Sequence, residues 1–71
     1  MVWFFTSAET YVRCETRYGP DGQGFELVIS RSDGAETVER YADQQGLTDR
    51  WTRLETDMHR DGRAGPRPRD L

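Results

Sequence analysis

The sequence predicts an α+β domain, an antiparallel meander of three to four strands packed on one C-terminal amphipathic helix. Three observations carry that prediction. Residues 10–18 and 25–30 alternate in period two, as strands with one buried face do. Runs of turn formers separate these segments. After Tyr41 the period lengthens: Leu47, Trp51, Leu54 and Met58 recur at spacings of four, three and four, one stripe of an α-helix. A helix stripe laid on an antiparallel sheet makes two layers around one core.

The first predicted strand is the short aromatic run Val2–Thr6, turned by residues 7–9. Residues 10–18 follow, with Val12, Cys14, Thr16 and Tyr18 on the inward face and Tyr11, Arg13, Glu15 and Arg17 on the solvated one. Residues 19–24, with three glycines, read as a hairpin connector. A phosphate-binding loop would have to open a helix, and here a strand follows. The most legible stretch is 24–41. Phe25, Leu27 and Ile29 alternate with Glu26, Val28 and Ser30, Glu26 joining Arg13, Glu15 and Arg17 in a solvated set of cross-strand charges, and Ser32, Asp33 and Gly34 supply a turn. Residues 36–41 return as a polar edge strand whose orientation stays open. Val38 and Tyr41 fall on opposite faces unless a bulge or a strand end intervenes.

Asp43 is the expected helix N-cap, with Thr48 as the later alternative, and Gly46 weakens the first turn by about 1 kcal/mol. His59 and Arg60 suit the negative end of the helix dipole, and Gly62 is a natural stop. Asp49 with Arg53 and Glu55 with His59 are expected ion pairs at a spacing of four. Residues 63–71 contain two prolines and three arginines without apolar periodicity, so the reading is a domain over 1–62 and a disordered Arg/Pro tail over 63–71.

A chain of 71 residues makes one domain whose core supplies only about 3–5 kcal/mol. With a single cysteine and a single histidine, neither a disulfide framework nor a structural zinc site can be built. Self-association is therefore an expected source of added stability. The net charge of −3, with arginine as the sole basic residue type besides His59, disfavours generic nucleic-acid binding. Residues 2–5 are too short and too plainly flanked for an export leader, and no run reaches membrane-span length, so the expected location is cytoplasmic.

Catalytic chemistry finds little footing. Cys14 sits mid-strand as a small buried hydrophobe, whereas a reactive thiolate needs a cationic, partly exposed setting. His59 lacks a partner other than Glu55, and no nucleophile elbow surrounds Ser7, Ser30 or Ser32. The expectation is a protein without enzymatic activity, cofactor or metal. Trp51 completes the helix stripe and reads as core. Trp3, Phe4 and Phe5 cannot all point inward from one strand, which makes them the candidate interaction surface.

The residues Trp3-Phe4, Phe25-Glu26-Leu27-Val28, Asp33-Gly34, Glu39-Arg40-Tyr41 and the 47–58 stripe resemble a group of short uncharacterised bacterial proteins. That resemblance spans most of 1–62, implies a shared fold and brings no activity with it. Tyr11, Arg13, Arg17 and Arg31 are also similar to the sheet surface of transcription coactivators of the positive cofactor 4 kind, which bind single-stranded DNA as dimers. Glu15 and Glu26 interrupt that patch, and the lysine-rich strands of the family are missing. The leading functional expectation is contact with a protein partner or with a second copy. Single-stranded nucleic-acid binding is the alternative.

Overall fold

The computed structural model describes residues 1–68. Five strands form one antiparallel sheet: β1 (Val2–Thr6), β2 (Tyr11–Tyr18), β3 (Phe25–Arg31), β4 (Glu36–Tyr41) and β5 (Ala64–Pro68), in the spatial order β4-β3-β2-β1-β5. The single helix α1 (Gln44–Arg60) lies between β4 and β5 in the chain and covers one sheet face. The first four strands are the predicted meander.

Local chemistry sets the turns and the helix ends. Asp33 accepts the Ala35 amide at 2.9 Å, and Gly34 N–H donates to the Arg31 carbonyl, closing the β3–β4 hairpin. Asp43 caps α1 by accepting the Gly46 amide at 2.9 Å, so the earlier of the two candidate caps is used. The helix stops in a paired C-terminal motif. Gly62 N–H donates to the His59 carbonyl and Arg63 N–H to that of Met58, a geometry that Gly62 reaches at φ 84°.

The core is the cluster Phe5, Val12, Cys14, Leu27, Ile29, Leu54 and Met58, with Tyr41, Leu47 and Trp51 packed at its border. Trp51 lies 5.9 Å from the Phe5 ring and 6.5 Å from that of Trp3, which settles it as a core residue. The β4 orientation is settled as well. Tyr41 turns toward the helix and Val38 turns away from it, in a regular register of Phe25 opposite Tyr41 and Val28 opposite Val38.

The expected disordered tail over 63–71 is corrected by β5. Residues 64–68 pair antiparallel with β1 and extend the sheet to five strands, while 69–71 lie outside the described residues. Without β5 the aromatic β1 would be an open edge. Prolines are tolerated here because an edge strand needs only half of its amides. Gly65, at φ 127°, runs so close to β1 that a Cβ on it would fall 2.6 Å from the Phe4 carbonyl oxygen. His59 Nε2–H donates to the Gly65 carbonyl at 2.6 Å and Arg63 donates to Thr10 Oγ1 at 3.0 Å, which tie the segment down. Backbone pairing has no apolar period, so composition alone reads as disorder.

Candidate functional site

The helix-free face of the sheet is where the unassigned side chains gather. Alternation sends Val2, Phe4 and Thr6 of β1, Tyr11, Arg13, Glu15 and Arg17 of β2, Glu26, Val28 and Ser30 of β3, and Glu36, Val38 and Arg40 of β4 to this side. Toward one end of the strands a row of charges crosses three of them. Arg17 stands opposite Glu26, and Glu26 opposite Arg40. Glu26 accepts a hydrogen bond from Arg17 Nε on one oxygen at 2.9 Å, and Arg40 Nε lies 2.9 Å from the other as an ion pair. Beside it, Arg13 and Glu15 pair at 3.2 Å along β2.

This row corrects one expectation. Glu26 was expected among solvated cross-strand charges, yet it is 3% exposed. Two arginines over one carboxylate satisfy its oxygens and lay their aliphatic stems over the sheet. Val28, next to it on the same uncovered face, is likewise only 3% exposed. By contrast Val38, its cross-strand partner at the sheet edge, is 45% exposed.

The three consecutive aromatics are divided by the pleat. Phe5 is fully buried in the core and Trp3 packs on Trp51, so both are taken up by the helix. Phe4 alone faces the other side, half-buried, with its ring edge-on to Tyr11 at 6.0 Å. Of the proposed interaction residues Trp3, Phe4 and Phe5, only Phe4 reaches the helix-free face.

The nucleic-acid set is divided too. Tyr11, Arg13 and Arg17 share the helix-free face, whereas Arg31 stands opposite Val12 and so has the helix-side orientation at the end of β3. Arg13 and Arg17 are both engaged by carboxylates. A stacking platform for single strands needs unpaired positive charge, and Arg13 and Arg17 already hold carboxylates.

On the helix side, Arg50 Nε donates to Glu39 at 2.8 Å and the Tyr41 hydroxyl donates to the same oxygen at 2.6 Å. The Arg50 hydrogen bond holds the Glu39 carboxyl below its ordinary value of 4.5, and burial pushes the Tyr41 hydroxyl up. Neither expected ion pair of the helix forms among the described residues. Asp49 accepts from Gln45 instead, and His59 turns to the Gly65 carbonyl instead of Glu55.

Cys14 is fully buried, and desolvation pushes its thiol up to about 11, so the reactive thiolate is not populated near neutral pH. A concavity of about 600 Å³ lies between the 19–24 loop and the end of β4, with Gly19, Asp21, Phe25, Glu26, Arg40 and Tyr41 on its walls. Asp21 there accepts the Gln23 amide and Arg40 is held by Glu26, so its charged groups already have internal partners. A notch of about 180 Å³ beside Trp3, Leu47 and Trp51 is apolar and small. Among the described residues no helix is long and apolar enough to cross a membrane.

Sequence reasoning placed Glu26 on this face but missed Arg40 and Val38 as its neighbours there. The signal was the alternation of Glu26 and Val28 with Leu27, but their cross-strand neighbours depend on register. No protein-family model, curated protein or solved structure matches this chain.

Proposed function

We propose that this domain works through protein contacts and carries no enzymatic activity, with the helix-free sheet face and its β4 edge as the contact surface. The observation that supports this most is the composition of that face. Phe4 with Tyr11 at one side and Val38 at the other leave apolar surface beside an ion-paired row. Nothing comparable supports catalysis. The cysteine is buried, and the lone histidine spends its Nε2 proton on a backbone carbonyl. Self-association is the simplest form of such contact, because a core this small gains proportionally more from a second copy.

Sedimentation velocity over a concentration series tests self-association, and a tagged pull-down with and without nuclease tests other partners. A nuclease-resistant protein partner or a concentration-dependent dimer is expected. Recovery that nuclease abolishes, with single-stranded nucleic acid in the eluate, would replace this reading with the single-strand one. Phe4→Ala should keep the far-UV spectrum of the wild type. If Phe4 belongs to the contact, the variant also weakens association, and unchanged association removes Phe4 from it.

A further inference from the structure

The β4 edge has a self-complementary charge pattern. In an antiparallel pair, hydrogen-bonded and non-bonded residue pairs alternate. Arg31 N–H donates to the Ala35 carbonyl at 2.8 Å, so the bonded β3–β4 pairs continue through Ile29 with Thr37 and Leu27 with Glu39. Thr37, Glu39 and Tyr41 therefore spend their backbone groups on β3. Glu36, Val38 and Arg40 aim theirs at the open edge, and their side chains lie on the helix-free face.

From these placements we propose that two copies of this chain pair antiparallel through β4, about a two-fold axis at Val38. The proposal rests on the reading that the protein acts by contact. It goes further by naming the occupant and the register. In that register Val38 meets Val38 of the second copy, and Glu36 meets Arg40 in both directions. The pairs that meet are those whose backbone groups point outward, so each can exchange both of its main-chain hydrogen bonds.

Two features of the single chain run on across this axis. The charge row Arg17, Glu26, Arg40 alternates in sign from strand to strand, and its next member would be Glu36 of the second copy, a carboxylate. Arg40 binds Glu26 by Nε, which leaves its two terminal nitrogens available, and its side chain is 73% exposed. Glu36 is exposed and makes no ion pair among the described residues. The valine row continues as well: Val28 and Val38 of one copy would abut Val38 and Val28 of the other, covering the exposed member. A one-residue slip would lose both matches.

Analytical ultracentrifugation of wild type, Val38→Pro and Glu36→Arg tests the edge, and cysteine cross-linking tests the register. The Val38 amide is free of β3, so proline there removes an intermolecular bond and spares the fold. The expected result is a wild-type dimer, a Val38→Pro monomer with an unchanged far-UV spectrum, and a dissociation constant raised about tenfold by Glu36→Arg. Val38→Cys, treated with copper–phenanthroline, should form a 38–38 disulfide. Glu36→Cys should not, because its copies would lie about 13 Å apart along the strands. Cys14 is buried and serves as the silent control.

A dimer that survives Val38→Pro, or that cross-links at 36 instead of 38, overturns this interface while leaving the contact reading in place. Wild type that stays monomeric at every concentration overturns the self-pairing, and a partner recovered in the pull-down then keeps the contact reading alone.

Discussion

The two faces of the sheet use the same strands and the same alternation, yet they exclude water by different means. On the covered face, Leu27 is fully buried beneath Leu54 and Met58 of the helix. On the open face, Val28 is 3% exposed with no helix above it, between Glu15 and Val38 of the neighbouring strands. Burial of the first kind is apolar and non-directional. Burial of the second kind goes with charges paired in register, with Glu26 between Arg17 and Arg40. A small domain with one helix can thus shelter residues on two faces, provided that the second face satisfies its own polar groups.

Removing a residue from each face should separate the two mechanisms. The largest effect is expected from Phe5→Ala, which opens a cavity at the centre of the covered face. Its cost of about 3–5 kcal/mol matches the whole stability expected of a chain this size. Loss of the native far-UV spectrum at 25 °C would be the outcome, and a folded variant with an unchanged melting temperature would show that the core lies elsewhere.

An intermediate effect is expected at the open face. Glu26→Gln keeps the shape but withdraws the charge shared by two arginines. Both partners are substantially solvated, so the expected loss in urea denaturation is about 1–2 kcal/mol. A neutral result would mean that Val28 is sheltered without help from the ion-paired row.

The smallest effect, and the one with a pH signature, belongs to Glu39 beneath the helix. Its folded carboxyl lies below its unfolded value, because the Arg50 hydrogen bond favours the ionised form. The stabilisation is therefore present above the unfolded value and is lost as pH falls through the folded one. Glu39→Gln should cost about 1 kcal/mol near pH 7, with the difference from wild type shrinking as pH falls below the ordinary glutamate value of 4.5. A pH-independent difference would assign the effect to packing instead of charge.

Particular residues show how far reading the chain alone can go. The alternation in residues 10–18 placed Val12 and Cys14 inside, and the 47–58 stripe placed Trp51, Leu54 and Met58 on the core, because side-chain period is a local property of backbone geometry. Asp33, Asp43 and Gly62 were legible for the same reason, since turn and cap chemistry acts over three or four residues. Of the candidate surface, Phe4 could be named as one of three aromatics but not separated from Trp3 and Phe5 until the helix had chosen a side.

The sequence by itself determined the elements as far as Arg60: which segments pleat, which one coils, and where each turns. Tertiary structure alone decided how they meet. It turned Tyr41 inward and Val38 outward, drew the proline-bearing β5 onto the edge of β1, and set Arg17 and Arg40 against Glu26. Those outcomes depend on register and on backbone hydrogen bonds between segments far apart in the chain. Such bonds are made by main-chain groups common to all residues but proline, and no pattern of side chains announces them.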